Sequence, residues 1–287
     1  TRERQWDLAL HYFNEVLRGN PKYVFALSCR GEAHYEMKKY DEALSDFNEV
    51  LELDPQNSNA LERRGDIYRL KKKLDEALVD LNRALAINPK CFFALGTRGA
   101  THLSKGNLDE ALEDLKRAYD INSKDPFLLE KLGDVYFRRE DWSTALIYYD
   151  KAVSVNPKSV YNLTKRGEVH YTLGNYDKAL EDLNRALELN PEYEDAMQYR
   201  GETYRLMGDQ ESAVSDFTKV LEKNPKSVFS LQCRGAAYLS LGQLDEALKD
   251  LSAALKLENN CRFALFKRAE VYKKMSQADL DMASKLK

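Results

Sequence analysis

Histidine and cysteine, the side chains that most often carry chemistry, are few in this chain. The four histidines are His11, His34, His102 and His170, and the four cysteines are Cys29, Cys91, Cys233 and Cys261. Such residues can ligate zinc, or serve as base and nucleophile, when their spacing brings them together. The sequence contains no CxxC, HExxH or GxSxG motif and no glycine-rich phosphate loop. We therefore expect no catalytic residue, no metal site and no cofactor, and predict that the chain is not an enzyme.

Three of the histidines are regularly spaced. His34, His102 and His170 occupy alternate members of one 34-residue series. The other members of this series hold tyrosine, at Tyr68, Tyr136, Tyr204, Tyr238 and Tyr272. Because neighbouring helices pack about 8–10 Å apart, histidines two repeats apart cannot share one metal ion. Histidine at these positions therefore replaces an aromatic residue of the core.

Proline, glycine and alanine recur with the same 34-residue period. Six of the seven prolines lie in one series, at Pro21, Pro55, Pro89, Pro157, Pro191 and Pro225. The glycines are Gly31, Gly65, Gly99, Gly133, Gly167, Gly201 and Gly235, and the alanines run from Ala9 to Ala247. Three residue types that share one period indicate a tandem repeat.

Each repeat is predicted to contain two helices, here named helix A and helix B. In the repeat 24–57, Leu27, Gly31 and His34 form one stripe of helix A, and helix B carries Ala43 and Phe47 inward. An Asp-Pro or Asn-Pro pair ends helix B. Glycines mark the corner between the helices in four repeats, at Gly106, Gly174, Gly208 and Gly242.

Composition limits the functional classes. The chain has 287 residues, of which 43% are hydrophobic and 32% charged, with a formal net charge of -3. This balance favours neither nucleic acid nor an anionic membrane surface as a partner. No apolar run reaches the ~18 residues of a membrane span. We expect a protein of the cytoplasm or nucleus, where cysteines stay reduced.

The repeat resembles the tetratricopeptide repeat. One repeat carries Leu61, Gly65, Tyr68, Ala77, Leu81, Ala84 and Pro89 at the positions of the family pattern. Another carries Leu129, Gly133, Tyr136, Ala145, Tyr149, Ala152 and Pro157. The resemblance implies an all-α fold, a right-handed superhelical solenoid of antiparallel helix pairs, in which helices A line a concave groove.

Seven complete repeats are expected, at 24–57, 58–91, 92–125, 126–159, 160–193, 194–227 and 228–261. Residues 1–23 fit helix B of a truncated leading repeat, and 262–287 fit a partial eighth repeat. In that last repeat the helix B pattern arrives five residues early. We expect a shortened corner after Met275 or, preferably, a loop missing from this sequence. The chain is expected to be part of a longer protein.

An arginine of helix A is followed, at a constant separation, by an aspartate of helix B. The pairs are Arg30 and Asp46, Arg64 and Asp80, Arg98 and Asp114, Arg166 and Asp182, Arg200 and Asp216, and Arg234 and Asp250. The fourth repeat has Leu132 and Tyr148 instead, so both charges are lost together. This joint loss favours an ion pair within each repeat over one between repeats, which would leave Arg166 opposite Tyr148 and Asp114 opposite Leu132. The alternative is a separately solvated charge on each helix. Its expected role is to orient the two helices.

The resemblance implies that the second, fifth, sixth, ninth and twelfth residues of helix A face the groove. The candidate peptide-binding residues are Phe25, Glu32, Tyr35, Asp66, Arg69, Phe93, Phe127, Asp134, Tyr161, Lys165, Glu168, Tyr171, Glu202, Arg205 and Phe229. Aromatic positions dominate odd repeats, and acidic positions recur in even ones. Aromatic anchors in a channel suit peptide capture. Alternatively, these aromatics pack between repeats, and the acid–base pairs stabilise single helices.

Two known functions of the family do not match. The lysine and asparagine clamp for a terminal carboxylate is absent, because the fifth and ninth positions read Ser28, Glu32, Glu62 and Asp66. The asparagine ladder of the sugar-transferring members is also absent. We therefore expect a non-catalytic scaffold for protein–protein interaction that binds a peptide segment in its groove. The alternatives are a regulatory or substrate-recruiting region of a larger enzyme or co-chaperone, and an array that self-associates through its ends.

Overall fold

The computed structural model describes residues 2–285, and the side chains of 5–284. The described residues form sixteen α-helices and no strand. Helices A are α2 (Val24–Glu36), α4 (Ser58–Leu70), α6 (Phe92–Lys105), α8 (Pro126–Arg138), α10 (Val160–Thr172), α12 (Glu194–Met207), α14 (Val228–Ser240) and α16 (Arg262–Lys285). Helices B are α1 (Arg2–Gly19), α3 (Tyr40–Leu53), α5 (Leu74–Ile87), α7 (Leu108–Ile121), α9 (Trp142–Val155), α11 (Tyr176–Leu189), α13 (Gln210–Lys223) and α15 (Leu244–Leu257).

The helices follow the predicted period. Successive helices A begin at the same position of each repeat, from Val24 to Arg262. Their first turns are capped where a polar side chain precedes them: Asn57, for example, accepts a hydrogen bond from the backbone N–H of Ala60 at 3.1 Å. The fold is therefore an all-α helical repeat of the solenoid class, as the sequence predicts.

The chain divides into two compact units, 1–148 and 149–287. In unit 1, helices A and B of one repeat pack together, and α2, α4, α6 and α8 pack side by side. Its core includes Phe47, Leu81 and Leu115. In unit 2, α10, α12, α14 and α16 pack side by side in the same way, around Leu183 and Leu251.

The repeated glycine of helix A permits the close packing of helix B. A Cβ atom added at Gly99 would lie 2.7 Å from Cγ of Leu115, and one added at Gly31 would lie 2.9 Å from the ring of Phe47. Both distances are shorter than van der Waals contact. Glycine therefore stands where the large inward residue of helix B meets helix A.

The corners between helices need a residue with positive φ. Glycine provides it at the four predicted corners, with φ between +75° and +92°. Three further corners of unit 1 use Lys38, Lys72 and Glu140, with φ of 59°, 61° and 59°. The backbone conformation is thus retained where glycine is absent, although these side chains strain it.

The predicted Arg–Asp ion pairs are present within the repeats, and each arginine also reaches a third helix. Arg64 donates from Nε and Nη2 to the carboxylate of Asp80 at 2.6 and 2.8 Å. Its Nη1 donates to Asn48, in helix B of the preceding repeat, at 2.8 Å. The equivalent third partners are Asn14 for Arg30, Asn82 for Arg98, Asp150 for Arg166, Asn184 for Arg200 and Thr218 for Arg234. One guanidinium therefore joins two neighbouring helices B to the helix A between them.

The C-terminal helix differs from the expected partial repeat. α16 continues from Arg262 to Lys285 without the corner expected after Met275. Residues 275–285 contain no glycine and no proline, so nothing in this stretch interrupts the helix. None of the described helices is long and apolar enough to cross a membrane.

Candidate functional site

The surface formed by helices A of unit 1 contains a buried hydrogen-bonded cluster. Tyr35 on α2 donates its hydroxyl hydrogen to the carboxylate of Asp66 on α4. Arg69 donates from Nε to the other carboxylate oxygen at 2.8 Å. Asp66 is only 4% exposed. Burial and the neighbouring Asp66 charge raise the pKa of Tyr35 above its usual value. Asp66 therefore links two helices rather than offering a free charge to solvent.

A second cluster lies beside the first. The guanidinium of Arg63 stacks on the rings of Tyr35 and Phe93, with its carbon 4.8 and 4.4 Å from their centroids. It also pairs with Glu32 on α2 at 2.5 Å. Arg63 thus ties α2, α4 and α6 together. It occupies the sixth position of helix A but was not among the predicted site residues.

A cavity of about 380 Å³ opens between these helices; we name it the aromatic cavity. Its lining comprises Tyr35, Tyr40, Asp66, Arg69, Leu70, Phe92, Phe93, Gly96, Thr97, Asp125, Phe127 and Leu128. Five of these residues were predicted: Tyr35, Asp66, Arg69, Phe93 and Phe127. The sequence patterns did not single out the others. Phe92 could have been found as an aromatic residue directly beside a predicted one.

Phe127 forms an accessible part of the cavity wall. It is 36% exposed, on the first turn of α8. Arg69 and Lys131 lie above its ring, at 6.0 and 5.8 Å from the centroid. Lys131 also bonds Asp134 at 3.1 Å, so this predicted acid is paired. The cavity therefore contains an exposed ring, and the two cations above this ring are paired with carboxylates.

In unit 2 the predicted acids are also held by neighbours. Glu168 is 6% exposed and accepts from the hydroxyl of Tyr199 and, at 2.7 Å, from Lys165. Glu202 receives two hydrogen bonds from Arg205, both at 2.7 Å. Glu202 and Arg205 form an acid–base pair on a single helix, which is the alternative considered for them, and Lys165 and Glu168 form a pair of the same kind.

Two of the predicted aromatics of unit 2, Tyr171 and Phe229, contact Tyr199, which occupies the sixth position of helix A and was not predicted as a site residue. The ring of Tyr199 lies 5.9 Å from that of Tyr171 and 6.4 Å from that of Phe229. Phe229 also meets Phe217, a core residue of α13, at 6.3 Å. Burial and the charge of Glu202 raise the pKa of Tyr171 to about 12. Phe229 therefore packs between repeats, as the alternative interpretation expected.

The remaining predicted aromatics, Phe25 and Tyr161, do not line the cavity. Phe25 is 65% exposed and contacts the ring of Tyr23 at 6.1 Å. Tyr161 is half-buried on α10, with Nζ of Lys165 at 6.0 Å from its centroid.

The histidines and cysteines are dispersed. Nδ1 of His34 lies 3.1 Å from the carboxylate of Asp46. Burial lowers the pKa of His102 and His170, and raises that of the Cys233 thiol. All four cysteines are free thiols. Among residues that the structure describes, no group of three or more His, Cys, Asp or Glu could hold a metal ion.

Family comparison agrees with the repeat. Models described as "Tetratricopeptide repeat" match residues 24–57, 58–91, 132–200, 195–227 and 217–249, and one described as "TPR repeat" matches 99–139. The chain belongs to the tetratricopeptide repeat family. Its architecture is that of a protein-interaction scaffold. A search of curated proteins gave no match.

Several solved structures share the fold. A chain of the APC/C hetero-tetramer Cut9-Hcn1 is 21% identical, with a TM-score of 0.72 over 82% of this chain and 46% of that one. A tetratricopeptide repeat protein from Parabacteroides merdae is 22% identical, with a TM-score of 0.60 over 87% and 98%. YrrB, described as "a TPR protein with an unusual peptide-binding site", is 20% identical, with a TM-score of 0.51 over 64% and 95%. At these identities the similarity establishes the fold alone.

Proposed function

We propose that this array binds a peptide segment of a partner protein on the surface formed by its helices A, with the aromatic cavity of unit 1 as the main contact. The supporting observation is a cavity of about 380 Å³ that contains an accessible ring, Phe127. A few aromatic contacts in a well-packed pocket commonly dominate the affinity of an interface. The same role would suit a substrate-recruiting region of a larger enzyme or co-chaperone.

The bonded clusters around the cavity support binding by a preformed surface. Asp66 accepts hydrogen bonds from both Tyr35 and Arg69. Arg63 stacks on two rings and pairs with Glu32. Side chains that are already ordered lose less entropy when a ligand binds. The contribution of the predicted acids is therefore mainly to position the aromatic walls.

Site-specific photo-crosslinking in cell lysate tests this proposal. A benzophenone amino acid would replace Phe127 in one variant and Val79, exposed on α5, in another. We expect the partner to be cross-linked from position 127 and not from 79, with the attachment mapped by mass spectrometry. Cross-linking from position 79 alone, or from neither position, would contradict binding at the cavity.

Self-association is a second candidate, because helices at both ends of the chain expose apolar side chains. α1 exposes Leu8, Tyr12 and Val16, which lie four residues apart on one face, and Phe266 on α16 is 66% exposed. Light scattering over a range of concentrations would test for association and for its loss in Phe266→Glu. A monomer at every concentration would contradict this candidate.

A further inference from the structure

At one position in the wall of the aromatic cavity, helix A of the third repeat has no side chain, whereas the other repeats carry one. Gly96 occupies the fifth position of α6 and lines the cavity. The same position holds Ser28, Glu62, Glu130, Thr164, Gln198, Gln232 and Phe266 in the other repeats. A Cβ atom at Gly96 would lie 3.1 Å from Cδ2 of Leu128 and 3.8 Å from the ring of Phe127. A longer side chain would therefore extend into the space that the cavity occupies.

The neighbouring residue and the walls make this space suitable for a flat apolar group. Thr97, at the sixth position, is short and buried, whereas that position holds Arg63 and Lys131 in the adjacent repeats. The rings of Phe92 and Phe93 line the cavity. Aromatic rings pack well against other rings in stacked or edge-to-face geometry.

An excess of negative charge lies next to one cavity wall. Arg63, which stacks on Tyr35 and Phe93, uses its charge on one oxygen of Glu32. The second oxygen, Oε2, is buried and has no hydrogen-bond partner. The other charged groups acting on Glu32 are Glu36 and Glu62.

This arrangement favours a cation beside the cavity. Burial and the nearby charges of Glu36 and Glu62 disfavour the ionised form of Glu32, and Arg63 opposes them. A lysine or arginine of a ligand near Glu32 and Glu62 would supply the missing positive charge. A carboxylate at this place would be repelled.

We infer that the ligand is a peptide segment in which an aromatic side chain enters the aromatic cavity and a neighbouring lysine or arginine reaches Glu32 and Glu62. This inference rests on the proposed function and specifies its ligand. The aromatic anchor provides the buried contact area, and the basic residue sets the orientation of the peptide.

Selection from a random 12-residue peptide display library on the full chain tests the inference. We expect enriched peptides to contain an aromatic residue with lysine or arginine within a few positions, and to be poor in acids. Gly96→Gln, which introduces the residue of the sixth and seventh repeats, should weaken their binding at least tenfold. Phe127→Gln provides a second cavity variant should Gly96→Gln lose helicity. Val79→Gln, on the exposed face of α5, is the matched control and should bind as the wild type does.

The charge contact is tested separately. Glu32→Gln/Glu62→Gln should weaken binding severalfold and remove the preference for basic residues, while the preference for an aromatic residue remains. The control is Glu52→Gln, which removes one negative charge, as each of the two test substitutions does, but at an exposed position of α3. Calorimetric titration of one synthetic peptide into each variant gives the fold-changes.

The possible results separate the two proposals. Enriched peptides without the aromatic–basic pattern would overturn the inference and leave peptide binding intact. Peptides with the pattern that bind Gly96→Gln and Phe127→Gln normally would also overturn it, because the cavity would then not be their site. No enrichment on the wild-type chain would overturn the inference and count against the proposed function as well.

Discussion

The hydroxyl of Tyr35 donates a hydrogen bond to the buried carboxylate of Asp66, and so joins α2 to α4. Unit 2 contains a bond of the same type, from Tyr199 on α12 to Glu168 on α10. Both bonds span 31 residues, but the tyrosine comes from the earlier helix in unit 1 and from the later helix in unit 2. Two adjacent helices A can therefore be linked by either arrangement of donor and acceptor.

Removing this donor should destabilise the fold. Tyr35→Phe leaves Asp66 with Arg69 alone, and an unsatisfied buried acceptor costs about 1–3 kcal/mol. Urea denaturation followed by circular dichroism measures the change in the free energy of unfolding. The exposed Tyr23 provides the control, since Tyr23→Phe should change it by less than about 0.5 kcal/mol. Equal effects of the two substitutions would show that the hydrogen bond from Tyr35 to Asp66 contributes nothing to the free energy of unfolding.

Tyr171 should lower the free energy of unfolding as the pH rises through the alkaline range. Its pKa is raised to about 12 by burial and by Glu202, whereas an unfolded tyrosine titrates at about 10. Between these values the unfolded state binds fewer protons than the folded state, so stability falls as pH rises. Below about pH 10 this contribution is fully present.

The comparison of wild type with Tyr171→Phe isolates this contribution. The free energy of unfolding should fall less steeply between pH 10 and 12 in the variant, because the titrating group is absent. Between about pH 7 and 9 the two curves should run parallel. Identical slopes at alkaline pH would contradict the raised pKa of Tyr171.

The helices were predictable because residues with restricted conformations punctuate each repeat. Asx-Pro pairs end helices B, and helices A begin at the same position of every repeat. The ion pair between Arg98 and Asp114 was predictable from its constant spacing and from its joint loss in the fourth repeat. The third contact, from Arg98 to Asn82, was missed, although asparagine recurs at the same distance before several of these arginines.

The cavity was only partly predictable. Tyr35, Phe93 and Phe127 belong to the recurring positions of helix A, and a periodic pattern finds such positions. Gly96 acts through the side chain that it lacks, which no pattern of residue types indicates. Whether an aromatic residue is accessible also depends on packing: Phe127 lines the cavity, whereas Phe229 meets Phe217 in the core.

The contribution of the Arg98–Asp114 pair to stability can be tested by introducing the residues that the fourth repeat has at these two positions. Arg98→Leu should leave Asp114 buried without its main partner, at a cost of about 3 kcal/mol. The double change Arg98→Leu/Asp114→Tyr copies the fourth repeat, and should recover at least half of the loss. Thermal and urea unfolding of both variants measure this.

A control distinguishes the buried pair from an exposed one. Arg18 pairs with Glu15 on α1 with both side chains largely exposed, so Arg18→Leu should cost less than about 1 kcal/mol. A double variant of Arg98 and Asp114 no more stable than Arg98→Leu would show that the charge left behind is not the cause of the loss.

At the corners between helices, replacing lysine by glycine should stabilise the protein, and replacing glycine by lysine should destabilise it. Lys72 has a φ of 61°, so Lys72→Gly should raise the free energy of unfolding by about 0.5–1 kcal/mol. Gly106 has a φ of 84°, so Gly106→Lys should lower it by about 1 kcal/mol. Denaturation curves of the two variants check the prediction. A shift of both in the same direction would mean that corner conformation does not determine the effect.

Two glycines of α6 should also behave differently when replaced by alanine. At Gly99 the new Cβ would lie 2.7 Å from Cγ of Leu115, and the overpacking should outweigh the gain in helix propensity by about 1–2 kcal/mol. At Gly96 the nearest atom is Cδ2 of Leu128, a terminal methyl group at 3.1 Å, which needs to move by only a few tenths of an ångström. Gly96→Ala should therefore leave stability unchanged or raise it by up to about 1 kcal/mol. Urea denaturation of both variants gives the comparison. If Gly96→Ala cost as much as Gly99→Ala, the absence of a side chain at Gly96 would be explained by packing against Leu128, and not by the space that it leaves for a ligand.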